Sequence, residues 1–303
     1  TGEGFQRAIT SFDHAIEIDP TWAPPYAGLG VVYSNLTYFA DLTPKESFPV
    51  AMAATEKAME LDDGLVIARV IMGWVAMIYD WDWHVAEHEL THSIELMPAS
   101  AEAHQIYSYL LSSTGQHDQA IIEARRASKL DPLSPVVGQH LGMVLYLAGR
   151  HEDAIRQLES VIELHPMFWF SYQRLAQALM ATGDYERGLE TMEHGIRLAG
   201  EGTFRSGKPM LASLYARAGR RTVALAILEE LETLSTTSYV PPTDLARIQV
   251  ALGDIDSAFL SLERAIEVRD ADLFMLGVSP DYEPMRSDPR FAELLRQINL
   301  GVD

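Results

Sequence analysis

Apolar residues recur along this chain with helical spacing on both sides of a regularly placed glycine. The glycines that set the register are Gly115, Gly149, Gly183, Gly219 and Gly253, separated by 34, 34, 36 and 34 residues. Before each glycine stands a large residue followed by a small one: Tyr107-Ser108, Leu141-Gly142, Leu175-Ala176, Leu211-Ala212 and Leu245-Ala246. This pattern predicts two antiparallel helices per unit, joined at a glycine that can adopt the positive φ ending the first helix.

The small residues predict how the two helices of a unit meet. They stand where paired helices cross, so that the helix axes can approach to about 8–10 Å. Because no unit can bury its apolar face alone, successive units stack and share one continuous core. A length of 303 residues would ordinarily suggest about two domains, but the repeat predicts one elongated α-solenoid.

A period of 34 residues with a large residue, a small residue, a turn glycine and a closing proline resembles the tetratricopeptide repeat (TPR). The closing prolines are Pro98, Pro132 and Pro166. The resemblance implies an all-α fold, a right-handed TPR superhelix of about eight helix-turn-helix repeats with a C-terminal capping helix. It also implies that the first helices line a concave face, and that the chain is a non-catalytic module binding protein or peptide.

The limits of the repeats follow from this register. Residues 1–20 match only the second half of a repeat, so we expect a piece of a longer protein. Complete repeats are predicted over about 23–63, 66–98, 101–132, 135–166, 169–200, 205–236 and 239–270, with the cap over 271–303. Some nine extra residues near 38–44 interrupt the first complete repeat, and 200–207 forms a glycine-containing connection. Thr43, Pro44 and Glu46 have the spacing of a capping box.

The turn of the 66–98 repeat departs from the pattern because it has no glycine. It reads Tyr79-Asp80-Trp81-Asp82-Trp83. We predict an enlarged turn whose indoles cover the joint between the two helices. The alternative is a ligand stacked on the two tryptophans.

The last segment leaves the repeat and predicts a cap. Asp288 and Pro289 suit a helix N-cap and first turn, and an apolar stripe follows at Phe291, Leu294, Leu295 and Ile298. Two sequence motifs in this segment are similar to the C-terminal end of a bacterial TPR subgroup. They are Ser279-Pro280-Asp281-Tyr282 and Arg286-Ser287-Asp288-Pro289-Arg290-Phe291. In that subgroup the solenoid follows a winged-helix DNA-binding, cyclase or Ser/Thr kinase domain. The resemblance implies the docking or sensing part of a larger bacterial regulator.

Charge and composition narrow the classes of partner. The formal net charge of −20 opposes direct contact with nucleic acid or an anionic membrane, since both bind through clustered Lys and Arg. A basic protein or peptide gains most from such a surface. The absence of cysteine excludes disulfides, thiolate zinc sites and cysteine nucleophiles. No run approaches the ~20 apolar residues of a membrane span, and no signal peptide is recognisable. We expect a cytoplasmic protein, with the periplasm left open.

The concave face is the predicted binding surface. By register it includes Trp74, Met77, Gln105, Tyr109, Gln139, Met143, Tyr146, Phe170, Gln173, Gln177 and Met180. Gln105, Gln139 and Gln173 form one column, and a primary amide can both donate to and accept from the backbone of an extended peptide. The aromatic residues and methionines would supply adaptable apolar contact. The alternative is that glutamine stands there only as a good helix former on a wet surface.

A clamp for acidic tails is not expected on this face. Some TPR proteins hold chaperone C-terminal carboxylates with Lys, Arg and Asn on their concave face. Here the register offers only the scattered candidates Arg174 and Arg247. Together with the acidic net charge, this disfavours a receptor for acidic tails.

One group of histidines permits an enzymatic alternative. His84, Glu87 and His88 have the H-x-x-E-H order of a metalloprotease class, and His92 extends the stripe along the same helix face. Imidazoles one turn apart can chelate Zn²⁺. The motif falls on a second helix, away from the concave face, so we expect surface histidines and no cofactor. Two alternatives stay open: a metal-dependent hydrolase, and a structural spacer that self-associates through its ends.

Overall fold

A computed structural model describes residues 2–39, 42–200 and 204–301, and these residues form helices without strands. The α-helices are α1 Gly2–Ile18, α2 Ala23–Phe39, α3 Pro44–Leu61, α4 Val66–Val75, α5 Trp83–Leu96, α6 Ala101–Ser113, α7 His117–Leu130, α8 Pro135–Leu147, α9 His151–Leu164, α10 Trp169–Ala181, α11 Tyr185–Ala199, α12 Phe204–Arg217, α13 Arg221–Ser235, α14 Pro242–Leu252, α15 Ile255–Val268 and α16 Pro289–Gln297. A π-helical turn spans Ala76–Asp80, and two 3₁₀ helices span Ala271–Met275 and Pro280–Met285.

The helices pair and stack in chain order, as the repeat predicts. Each even-numbered helix from α2 to α14 packs against the odd-numbered helix that follows it. The even-numbered helices also contact one another from unit to unit, and they form the inner, concave face. From α5 onwards, the outer helices supply a buried small residue at one position of each unit, namely Ala86, Ala120, Ala154, Gly188, Ala224 and Ala258. The prediction of an all-α solenoid is therefore confirmed.

Two glycines of the 135–166 unit show why the sequence pattern produces this geometry. Gly149 ends α8 with a φ of +72°, a conformation that costs other residues about 1–2 kcal/mol. Gly142 lies where α8 crosses α9, and a Cβ there would stand 2.5 Å from Cγ of Leu158. The turn glycine permits the reversal of the chain, and the crossing glycine permits the close approach of the two helices.

The turn without glycine adopts the same reversal by another route. Trp81 stands 34 residues before Gly115, in the glycine column, and has a φ of +57°. The π-helical turn Ala76–Asp80 leads into it, and Asp82 then caps α5 by accepting from the Val85 amide. Trp81 is buried, with 4% of its surface exposed. The predicted enlarged turn is present, and residues of the C-terminal segment cover its indoles.

Other local predictions fall partly outside the described residues. The capping box of α3 is present, because the Glu46 carboxylate accepts from the Thr43 amide at 2.9 Å. Residues 40–41 of the predicted 38–44 insertion and residues 201–203 of the 200–207 connection lie outside the described residues. So do residues 1, 302 and 303. No helix within the described ranges is both long and apolar enough to cross a membrane.

Residues 270–300, called the tail below, follow α15 and contain both 3₁₀ helices and α16. The apolar stripe of α16, including Phe291, Leu294 and Ile298, packs in one cluster with Phe259 and Leu262 of α15. The tail thus covers the last repeat. Its earlier part, 271–286, turns onto the inner face of the solenoid, which the sequence did not predict.

Candidate functional site

The groove, meaning the concave face lined by α4, α6, α8, α10, α12 and α14, holds the chain's own tail. Of the predicted groove residues, Met143, Tyr146, Gln177 and Met180 are buried, each with 2–7% of its surface exposed. Trp74, Gln105, Tyr109, Phe170 and Gln173 are half-buried, and Gln139 is 8% exposed. Met77 is fully buried in the core of the π-helical turn, so it does not form part of the groove surface.

An aromatic contact fixes the start of the tail in the groove. The Phe274 ring meets Trp74 edge-on, with centroids 5.6 Å apart, and meets Tyr109 at 5.9 Å. Phe274 is 2% exposed. Met275 and Val278 continue this contact against the cluster that contains Met143 and Tyr146. Edge-to-face aromatic pairs and burial of a phenyl ring make this the main apolar anchor of the tail.

A pocket of arginines holds the middle of the tail. The Asp281 carboxylate lies 2.7 Å from a terminal nitrogen of Arg217 and 3.1 Å from Nε of Arg247. Arg174, on α10, lines the same small space and donates to the Gln177 side chain at 2.8 Å. We call Arg174, Arg217 and Arg247 the arginine pocket. The sequence offered Arg174 and Arg247 only as scattered candidates, and the curvature of the solenoid brings them together with Arg217.

A second carboxylate group lies beside the arginine pocket. Asp270 accepts from the amide and hydroxyl of Thr243 at 3.0 and 2.8 Å, and Asp244 pairs with Arg247 at 2.7 Å. Burial and the nearby Asp272 raise the pKa of Asp270 to about 6. Burial also raises the pKa of Asp244 to about 7, although Arg247 opposes the shift. Each of these two carboxyl groups therefore keeps its proton to a higher pH than a free aspartate does.

Residues at the end of the tail and just before its start meet the turn of the 66–98 repeat. We call this contact the clasp, and it is formed by Trp81, Trp83, Arg269, Ile298 and Asn299. The Arg269 guanidinium lies 4.5 Å above the Trp81 ring. The Asn299 side chain donates to the Trp81 carbonyl at 3.1 Å, and the Trp83 indole donates to the Ile298 carbonyl at 2.9 Å. The predicted indole contact therefore goes to the tail, about 190–220 residues further along the chain.

The tail also covers a cavity of about 510 Å³ at the edge of the groove where the glycine turns lie. His117, His151 and Tyr185 line it from the first positions of α7, α9 and α11, and Arg286 closes it from the tail. Burial lowers the pKa of both histidines, which favours their neutral forms. The volume is within the range of small-ligand pockets, and these side chains give it a polar wall.

The histidine stripe lies on the outer helix α5, away from the groove. His84, Glu87 and His88 are exposed. The His88 and His92 rings stack with centroids 6.2 Å apart, and Nδ1 of each lies within 3.3 Å of a glutamate, Glu89 and Glu95 respectively. Within the described residues, no group of three or more His, Cys, Asp or Glu side chains is arranged to hold a metal ion. The stripe gives the metal-hydrolase alternative no geometric support.

Comparison with known families agrees with the helical geometry. Models described as tetratricopeptide repeat match residues 101–132 and 141–200. These two stretches are tetratricopeptide repeats. Among curated protein sequences, none matches this chain.

Solved TPR structures resemble this chain in fold. A human IFIT1 dimer with m7Gppp-AAAA is 16% identical, with a TM-score of 0.68 over 97% of this chain and 68% of its own. The APC/C hetero-tetramer Cut9–Hcn1 is 16% identical, with a TM-score of 0.61 over 97% of this chain and 52% of its own. Pseudomonas aeruginosa PilF is 16% identical, with a TM-score of 0.51 over 84% of this chain and 99% of its own. At such identities the similarity concerns the TPR solenoid alone, and it agrees with the right-handed superhelix that the repeat implied.

Sequence reasoning missed the residues that the tail brings to this site. Phe274, Asp281 and Asn299 stand outside the repeat, where no periodicity assigns them a partner, and Arg269 stands at the end of the last repeat. The clearest available signal was the combination Phe-Met-Leu at 274–276 with Asp-Tyr at 281–282, an apolar run followed by an acidic residue in a segment predicted only as a cap. Arg217 was missed because it stands near the end of its helix, outside the positions assigned to the concave face.

Proposed function

We propose that this TPR chain is a protein-interaction module whose concave groove binds an extended peptide segment. The observation that supports it is the occupant of the groove, since residues 271–286 of the chain already contact Trp74, Tyr109, Arg217 and Arg247 there. A surface that accommodates one peptide segment, through separate aromatic and charged contacts, has the chemistry to accommodate another.

The groove provides both components that peptide recognition needs. Trp74, Tyr109 and Met143 offer partly or fully desolvated apolar contact, and adaptable methionine suits different side chains. Gln105, Gln139 and Gln173 stay the predicted column for reading a peptide backbone, because their amides can donate and accept. A partner that takes this position must displace the tail, so binding and tail release are coupled equilibria.

The similar solved structures bear on the class of partner that we propose for this chain. The Cut9 structure that this chain resembles is a hetero-tetramer with Hcn1, which is in keeping with a protein partner. The IFIT1 structure holds a capped oligonucleotide, but a formal net charge of −20 opposes the same class of ligand here. The sequence motifs at 279–291 predict a part in docking or sensing within a larger bacterial regulator. Self-association through the solenoid ends also stays a prediction.

A peptide-display selection on the full chain tests the groove. Random 12-residue peptides are selected on wild type, and their affinities are then measured on a groove variant, Gln139→Ala/Gln173→Ala/Tyr146→Ala. Ile122→Ala, at a 62% exposed position of the outer helix α7, is the matched control. We expect selected peptides to lose at least tenfold in affinity on the groove variant and to keep it on the control. Equal affinity for all three proteins, each checked for folding by circular dichroism, would place recognition outside the groove.

A further inference from the structure

The tail places one buried carboxylate where the groove concentrates positive charge. We propose that the arginine pocket is a carboxylate-binding subsite of the peptide groove, and that the tail is a built-in competitor for it. The ligand class is an acidic peptide with an aromatic residue about seven positions before its carboxylate, the spacing of Phe274 and Asp281. This inference rests on the groove function proposed above.

The charge balance of the pocket carries the argument. Three guanidinium groups, Arg174, Arg217 and Arg247, share the site with three carboxylates, Asp244, Asp272 and Asp281. Only Asp244 belongs to the solenoid, so release of the tail leaves the site with an excess of at least two positive charges. Arg247 keeps Asp244 as its partner at 2.7 Å, whereas Arg217 loses the Asp281 carboxylate. The open groove therefore attracts an anion.

The geometry also selects among anions. The two oxygens of Asp281 each accept from a different arginine, on α12 and α14, and both hydrogen bonds are charge-assisted. Asp281 is an internal residue, so the subsite takes a side-chain carboxylate within a peptide. The partner suited to the groove is acidic, whereas the basic partner expected from the net charge of −20 would have to bind the outer surface.

The test uses a fluorescent peptide with the sequence of residues 271–286, a second peptide with Asp281→Asn, and full-length proteins. The proteins are wild type, Asp281→Asn, and Asp281→Asn/Arg217→Gln. We expect the acidic peptide to bind the Asp281→Asn chain at least tenfold more tightly than wild type, because the weakened tail competes less. The Asp281→Asn peptide should bind that chain at least tenfold more weakly than the acidic peptide. The Arg217→Gln change should abolish this difference between peptides.

A second measurement uses the unmodified protein, in case a variant fails to fold. Hydrogen exchange of residues 271–286 in wild type should accelerate when excess acidic peptide displaces the tail, and should not change with the Asp281→Asn peptide. Equal binding of the two peptides would overturn the carboxylate subsite. If display-selected peptides bind the groove while the tail peptide does not, this inference fails and the groove function stands. If no peptide of either kind binds, both fail.

Discussion

Replacing Phe274 by alanine tests whether the tail is held mainly by its aromatic anchor. Phe274 is 2% exposed and contacts Trp74 and Tyr109 at centroid distances of 5.6 and 5.9 Å. Deletion of a buried phenyl ring costs about 3–5 kcal/mol, depending on how far the site can collapse. The tail is a single segment lying against the groove, so it can move into the space left behind. We therefore expect the lower end, about 3 kcal/mol.

The loss acts on opening of the tail before it acts on the solenoid. If residues 271–286 exchange their amide hydrogens through local release, a loss of about 3 kcal/mol accelerates that exchange about 100-fold. The inner and outer helices away from the tail, such as α2 and α3, keep their rates. Hydrogen exchange resolved by mass spectrometry measures both regions in one experiment, and urea denaturation gives the change in global stability.

Leu189→Ala is the matched control. Leu189, on α11, is 2% exposed in a cluster that contains no residue of the tail, and its truncation costs about 2–5 kcal/mol. In this control the exchange of residues 271–286 should stay close to that of wild type, although global stability falls. The reasoning would be refuted if Phe274→Ala and Leu189→Ala accelerated exchange in the tail equally. That outcome would mean that the tail opens only when the whole solenoid unfolds.

Three further predictions follow from the electrostatics, the turns and the histidines. Burial raises the folded pKa of Asp270 to about 6 and that of Asp244 to about 7, so the stability that these two groups contribute should be greatest below about pH 4. That contribution should fall by about 1–3 kcal/mol as pH rises from about 4 to about 7. Urea denaturation at several pH values measures this, and an Asp270→Asn chain with an unchanged slope would contradict it. Gly149→Ala forces a residue with a Cβ to a φ of +72°, so it should lower the free energy of unfolding by about 1–2 kcal/mol in thermal or urea melts. An unchanged melting temperature would show that the turn relaxes. The double substitution His84→Ala/His88→Ala should change the free energy of unfolding by less than about 0.5 kcal/mol and should leave calorimetric Zn²⁺ titrations unchanged. If wild type bound Zn²⁺ tightly and stoichiometrically and the variant did not, the hydrolase alternative would be revived.

The repeat could be predicted from the sequence because it depends on local rules. Gly149 and Gly142 occur where a turn requires positive φ and where a crossing requires a missing side chain, and these needs recur every 34 residues or so. The capping box at Thr43 and the helical apolar stripe of α16 are equally local. Periodicity therefore determined the helices, their pairing and the position of the concave face.

Trp81 shows where such reasoning stops. Its place in the glycine column can be read from the sequence, but its ring and its carbonyl contact Arg269 and Asn299, which lie nearly 190 and 218 residues away. The arginine pocket has the same origin. Arg174, Arg217 and Arg247 stand on three different inner helices, and only the stacking of the repeats brings them into one region around Asp281. The sequence by itself determined a solenoid with a concave face, because helix pairing is set by neighbours in the chain. Only the tertiary structure decided that the tail fills this face and that an acidic group lies at its centre, because those contacts join parts of the chain that share no repeat.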